Sequence, residues 1–432
     1  MGITNCRSCS SNDLRIILDL GCQPISNALL TEAEVGLPEM RFPLAVAFCR
    51  SCALLQVTET IPPDILYGRD FPYFSSSSPA LLKHSAEHVN ALVRKYGLGA
   101  GSFVVEVASN DGYLLRNFVD REIECLGIDP ADAPVARANA IGVPSIHDFF
   151  GLQCARKLAG EGKQADVMIA NNVVAHVGDI NDFVAGFACL LKPTGVALFE
   201  FAYAVDLIQH CEFDTIYHEH LFYHTLHGLT PLFERHGLFL NDVERLPIHG
   251  GSLRLTVSRT PARSLELDEL FAYEAALGVG EQDFYNDFAD RVRVLRDSLA
   301  DLLVSEKAKG KRIACYGAAA KGATLVNYLD LGESFFEFVA DANPYKQGKY
   351  MPGQRIPIRH PDHLVARQPD YVLLLVWNFA GEVMRQQASY RERGGSFIIP
   401  VPKPCIIPPG APLDDTQFAI FSRQNMASLR TA

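Results

Sequence analysis

The sequence predicts an α/β protein in three parts: a small cysteine-bearing N-terminal module, a central doubly wound domain and a C-terminal Rossmann-like domain. Three observations predict it. Residues 103–113 read as a strand, a turn of small residues and a helix, and the pattern recurs at 311–322. The next strand of each unit ends in an acid, Asp129 and then Asp341. Two Cys-x-x-Cys pairs, Cys6/Cys9 and Cys49/Cys52, stand ahead of both units. Strand and helix in alternation specify a parallel sheet with helices on its faces.

The bulk composition fits this. A chain of 432 residues has room for two or three domains. It is 48% hydrophobic and 21% charged, as in ordinary globular proteins. A net charge of -11 argues against a nucleic-acid binder, which needs a basic face. No apolar run approaches the roughly 20 residues of a membrane span. The N-terminus lacks the charged start and apolar stretch of a signal peptide, so a cytoplasmic protein is expected. Eleven cysteines in such a chain do not read as a disulfide framework.

The first element, residues 1–66, is built on the two cysteine pairs. Each puts two sulfurs on one tight turn, and four thiolates make a closed tetrahedral zinc site, structural because no position is left for water. Pro24, Gly36, Pro38 and Pro43 break the intervening chain into short pieces that the metal must hold together. The other seven cysteines are expected to pack.

The second element, residues 67–258, opens on an aromatic, serine-rich loop containing Tyr73, and Pro79 then starts a helix running to about Tyr96. Strand 103–107 leads into Ala108-Ser109-Asn110-Asp111-Gly112 and a helix from Tyr113. Small residues there let a ligand approach the backbone at the carboxyl end of a parallel strand. Glu106 and Asp111 suit a cationic amino-acid moiety better than a pyrophosphate. Asp129 can accept bonds from ribose hydroxyls. Strands at 166–170 and 196–201 continue the sheet, the first followed by Asn171, Asn172 and His176. Gly250-Gly251 turns into a strand carrying Arg254.

Between those last strands lies Tyr217-His218-Glu219-His220-Leu221-Phe222-Tyr223-His224. Such a run can hold a proton, lose it and stabilise the charge left behind. His is the usual base near neutral pH. His218 and His220, two apart, also have metal-ligand spacing if the run is a strand.

The third element, 259–408, begins with a helical linker whose Phe284, Phe288, Val292, Leu295 and Leu299 recur at three- and four-residue steps. The Rossmann-like unit follows, with strands expected at 335–341 and 371–378. The Gly317–Gly322 turn would offer backbone amides and Lys321 to an anion. Asn343, Lys346 and Lys349 follow in a basic loop suited to a nucleotide diphosphate. Residues 409–432 read as a tail.

Taken in order, Glu106–Gly112, Asn171–Val177, Tyr217–Tyr223 and Gly250–Arg254 resemble the sugar C-methyltransferases. The paired Cys-x-x-Cys motifs are similar to that family's zinc module, and Gly317–Gly322 to its C-terminal domain. The resemblance spans nearly the whole chain. It implies an S-adenosylmethionine-dependent enzyme of deoxysugar biosynthesis, in an antibiotic or polysaccharide pathway. The substrate would be a nucleotide-diphosphate 4-ketosugar, with a TDP-sugar first among candidates. His220 would remove the proton next to the ketone, at C3, with Glu219 orienting it and Tyr217 and Tyr73 in the pocket. The donor would meet Glu106, Ser109, Asn110, Asp111, Gly112, Asp129, Asn171 and Asn172. The sugar nucleotide would meet Asn172, His176, Tyr217, Tyr223, Arg254, Lys321, Asn343 and Lys346. Three domains can complete one site, so a monomer is expected. Methylation at C5, an NAD(P)-dependent oxidoreductase and a non-enzymatic zinc-knuckle scaffold stand as alternatives. The missing G-x-G-x-x-G counts against the oxidoreductase.

Overall fold

In the computed structural model, which describes residues 2–62, 65–66, 74–248 and 250–413, three sheets organise the chain. The first is antiparallel, in the order β1 (Leu14–Pro24), β2 (Arg41–Cys49), β3 (Leu55–Val57), β9 (Phe222–Tyr223). Leu44 to Cys49 are buried without a break, because β2 is a central strand. The sheet's last strand comes from far along the chain. Leu55 pairs with Tyr223 and Gln56 with Phe222, and the Val57 amide donates to the Leu221 carbonyl at 2.9 Å.

The second sheet has seven strands, with β4 (Phe103–Val107) in its interior. On one side lie β5 (Glu124–Asp129) and β6 (Ser145–His147). On the other lie β7 (Ala165–Asn171), β8 (Leu191–Ala202), β11 (Ser252–Ser258) and β10 (Phe239–Leu246). The first five pair in parallel, while β11 and β10 add antiparallel. The crevice between β4 and β7 is the topological switch point, where such sheets bind ligands. The helix Pro79–Tyr96 packs nearby, with Pro79 in its first turn, the Ser78 hydroxyl capping it and left-handed Gly97 ending it.

The third sheet runs β14 (Ile358–Arg359), β13 (Val339–Ala340), β12 (Ile313–Tyr316), β15 (Tyr371–Leu374), β16 (Ser396–Ile399), β17 (Cys405–Ile407). All pairs are parallel except the last. The stripe Phe288, Val292, Leu295, Leu299 is buried as its spacing predicts, on the helix Phe288–Ala308. It shares one apolar core with Ile17, Leu20 and Phe48 of the first sheet and Val339 and Leu373 of the third.

Four expectations change. The helix after the central glycine turn starts at Arg116, not Tyr113, and lasts only to Val119. Ala108, Asn110 and Gly112 all have positive φ, so the chain is still turning there, and Tyr113, Leu114 and Leu115 are buried beneath that turn. His218 and His220 lie in a turn, since strand geometry begins only at Phe222. The expected strand 335–341 is reduced to Val339–Ala340. The expected strand 371–378 ends at Leu374 and gives way to a 3-10 turn at Trp377–Phe379.

Candidate active site

The histidine run is tied to the first sheet and to the loop after β7. His220 Nδ1 lies 3.0 Å from the Thr215 carbonyl, which can only accept, so this nitrogen carries the proton. In the neutral ring Nε2 then holds the lone pair, and the Tyr217 hydroxyl donates to it at 2.7 Å. The two rings lie 3.9 Å apart, tilted by 32°. His176 meets the other side of His220 edge-on, at 4.7 Å between ring centres. Burial pushes His176 down to about 4, so it is neutral near pH 7. The Leu221 amide donates to the Ala175 carbonyl at 2.7 Å, which ties this run to the loop after β7.

Glu219 is 3% exposed. One carboxyl oxygen accepts from Asn27 Nδ2 at 3.0 Å, and the other, Oε2, has no hydrogen-bond partner. Burial raises its pKa, which favours the protonated form. The Tyr223 hydroxyl is also buried and unpartnered. His218 donates from Nε2 to the carbonyls of Phe42 and Pro43, at 3.3 and 3.2 Å, so it faces the first sheet and away from His220's partners. The two histidines therefore do not converge on a metal. Tyr73 lies outside the described residues.

Around the switch point, Asp129 accepts from the Asn110 amide and the Ala131 amide, both at 2.9 Å. This pulls the turn of small residues onto the tip of β5. Asn110 Oδ1 accepts from the Ser75 amide at 2.8 Å, and Asp111 is bonded by both the amide and the hydroxyl of Ser76, with Arg137 at 3.5 Å. The loop before Pro79 is thus latched onto the turn. Gly112, at φ +75°, has Val143 only 3.0 Å from where a Cβ would sit. Glu106 lies fully buried beneath, its pKa raised well above the usual range by burial and then by Asp129 and Asp111. Glu106 Oε2, Ser109 Oγ and Asn171 Oδ1 are buried without a partner. Asn172 has φ +54°, and its amide donates to the Glu200 carbonyl at 2.6 Å.

Of the cations expected at substrate, Arg254 is otherwise engaged. It sits between Glu200 on β8 and Glu244 on β10, bonding each at 2.7 and 2.8 Å, with His84 also on Glu200. Although burial opposes it, those bonds hold Glu200 down to about 2. Lys321 does not sit free at its helix start. Its ammonium lies over the Trp377 ring, 3.6 Å from the centroid, donates to Asn378 Oδ1 at 3.2 Å and approaches Asp214 to 3.9 Å. Lys346 donates one N–H to the Ala318 carbonyl at 2.8 Å, and Asn343 Oδ1 accepts from the Tyr345 amide at 3.0 Å.

The four cysteines converge. Their sulfurs lie within 4.8 Å of one another, and Cys6–Cys52 and Cys9–Cys49 are each 3.6 Å apart. Tetrahedral Zn–S bonds of about 2.3 Å require sulfurs about 3.8 Å apart, so the cage fits zinc. Gln56 donates to Cys6 Sγ at 3.2 Å, a bond that suits a thiolate. Among the described residues no other group of three or more His, Cys, Asp or Glu side chains comes close enough to hold a metal. Sequence reading missed Asn27, Thr215, Asp214, Trp377 and Thr324. The only local signal was Trp377 itself, the chain's single tryptophan, at the end of an apolar strand.

Three family profiles match in succession: a zinc binding domain over residues 6–67, a methyltransferase domain over 81–241 and a C-methyltransferase C-terminal domain over 247–402. The C-methyltransferase NovU of Streptomyces niveus is 35% identical over 410 residues, covering 94% of this chain and 97% of that one. Among solved structures, the PH0226 protein of Pyrococcus horikoshii OT3 matches 45% of this chain and 98% of its own, at 18% identity and a TM-score of 0.36. Magnesium protoporphyrin IX methyltransferase of Synechocystis PCC 6803, with bound SAM, matches 46% and 89%, at 15% identity and a TM-score of 0.33.

Proposed function

The chain belongs to the C-methyltransferases, and from that premise we propose that it methylates a nucleotide-diphosphate 4-keto-deoxysugar at the carbon beside the ketone, C3. A carbon nucleophile is needed, and a ketone supplies one as its enolate once a base removes the neighbouring proton. The observation that carries this reading is the state of His220. Its Nδ1 proton is committed to the Thr215 carbonyl, which leaves Nε2 as the proton acceptor. The Tyr217 hydroxyl, now on Nε2, is placed to turn to the oxygen where charge develops. Glu219, with one oxygen unpartnered and burial favouring its protonated form, and Tyr223 would supply further hydrogen bonds to that oxygen or to sugar hydroxyls. His176 meets His220 from the loop after β7, and Asn172 of the same loop would contact the donor or the sugar.

The methyl donor is S-adenosylmethionine, which supplies an electrophilic methyl group for the carbanion. The orphaned Glu106 Oε2, Ser109 Oγ and Asn171 Oδ1 at the switch point are the polar atoms it would satisfy. Asp129 keeps further lone pairs for ribose hydroxyls. The remaining N–H groups of Lys346, with Asn343, are the donors for the diphosphate at the carboxyl ends of β12 and β13. Zinc is structural, held by Cys6, Cys9, Cys49 and Cys52.

The test is proton exchange in deuterium oxide, with a TDP-4-keto-6-deoxysugar and S-adenosylhomocysteine, read by NMR. Washout of the C3 proton, absent in His220→Ala while S-adenosylhomocysteine still binds, is the expected result. Washout at C5 would move the methyl, and exchange at the wild-type rate in His220→Ala would remove the base from this account.

A further inference from the structure

The turn that carries the base hangs on the C-terminal domain. Asp214 is fully buried in the 3-10 turn Phe213–Thr215. Its Oδ2 accepts from the Trp377 indole at 2.6 Å and has the Lys321 ammonium 3.9 Å away. Lys321 is itself seated on the Trp377 ring. Two residues further on, the Ile216 carbonyl accepts from the Thr324 hydroxyl at 3.1 Å. Thr215 lies between these anchors, and its carbonyl takes the Nδ1 proton of His220. Trp377, Lys321 and Thr324 all belong to the domain built on β12. The indole N–H can only donate, so its place fixes the carboxylate's place. A buried carboxylate with an ammonium at this range resists separation, because either charge left alone is costly.

We propose that Asp214, gripped by Trp377 and Lys321, is a positioning residue that sets the tautomer of His220. It holds the Thr215 carbonyl against Nδ1, and so keeps the lone pair on Nε2. A neutral imidazole carries one N–H. If the Thr215 carbonyl swings away, the proton is free to reside on Nε2, and that tautomer cannot take a proton from substrate. Lys321 thus serves the base through Asp214 and not the substrate's phosphates. This inference rests on His220 being the base.

Histidine labelled with carbon-13 in the ring reports the tautomer directly, with the His220 signal assigned by its loss in His220→Ala. In the wild type it should show Nδ1–H. In Trp377→Phe and Asp214→Asn it should move toward Nε2–H, and kcat should fall by about 10²-fold, the effect of a slightly misplaced catalytic group. KM and S-adenosylhomocysteine affinity should stay within a few fold. Thr324→Val, a milder change, should give a smaller loss with the same direction of shift. A wild-type tautomer in Trp377→Phe and Asp214→Asn overturns the proposal, whether the rate is kept or is lost together with thermal stability. An active His220→Ala would instead sink the base assignment, and the tautomer shift would still decide whether the grip on Thr215 exists.

Discussion

The central and C-terminal sheets use one device twice, to different ends. In each, an acid at the tip of the second strand accepts from the amide of the turn after the first strand and from the amide two residues beyond itself. Asp129 does so with Asn110 and Ala131, and Asp341 with Ala318 and Asn343. In each, the turn's first amide also pairs with the second strand, Ala108 with Ile128 and Gly317 with Ala340. The crevices then diverge. Beside β4 lie a buried carboxyl, a hydroxyl and an amide oxygen, all unpartnered. The residue two before the turn is Glu106 in the first unit and Cys315, fully buried, in the second. There Val376 comes within 2.6 Å of a Cβ built on Gly317, and Leu375 within 2.8 Å of one built on Gly322, so side chains pack closely against that turn. A shared topology therefore does not make two equivalent binding sites. The orphaned polar atoms set the first crevice apart as the one suited to the methyl donor.

The largest expected effect tests that contrast. Ser109→Phe should fill the open crevice and abolish S-adenosylmethionine binding in calorimetry. Val376→Ala, which thins the packing of the second crevice, should leave it unchanged. Binding retained in the first variant would break the comparison. Removing zinc by chelation ranks next. It should loosen β1 to β3 and, through the β3–β9 pairing, cost C3 exchange activity while S-adenosylmethionine still binds. Loss of both together would mean that the central sheet depends on the metal too.

A smaller, sharper test uses the two acids. Asp129→Asn should weaken donor binding and lower stability, while Asp341→Asn, at a half-buried position, should lower stability alone, by about 1 kcal/mol for the weakened amide pairing. Equal effects on donor affinity would erase the distinction. The smallest effect is on acid stability. Burial pushes His88 and His224 down to about 3 and His176 to about 4, all in the central domain. Unfolded, each takes a proton near a pH of about 6.5. Between that value and the folded one the unfolded chain binds more protons, so stability falls as pH drops from about 6.5 toward 4 and is fully kept above that window. The C-terminal unit buries no histidine among its described residues, His360 being exposed and His363 half-buried. Hydrogen exchange at pH 5 and pH 7 should therefore show amides of β4 and β7 losing more protection than those of β12 and β15.

What the sequence made legible was local. The cysteine spacing, the strands at Phe103–Val107 and Glu124–Asp129 and the start of the helix at Pro79 are each written within a few residues. The acid-tipped strands were visible too, as was the run that holds His220. What was not legible depends on distant pairing. Asn27 reaches Glu219 across 192 positions, and Trp377 reaches Asp214 across 163. No periodicity carries such information. Arg254 shows the same limit. The sequence shows it as one positive group, and only register reveals Glu200 and Glu244 beside it on the neighbouring strands.

The late strand β9 has a consequence in time. The N-terminal sheet is completed by Phe222 and Tyr223, which leave the ribosome long after Val57. At about 5–20 residues per second the wait is on the order of ten to thirty seconds. Throughout it, the edge of β3 stands open, a short strand with unpaired amides that another chain could seize. Zinc captured early by the four cysteines would hold β2 and β3 in register until their partner arrives. The metal then guards the nascent chain before it ever supports the finished enzyme.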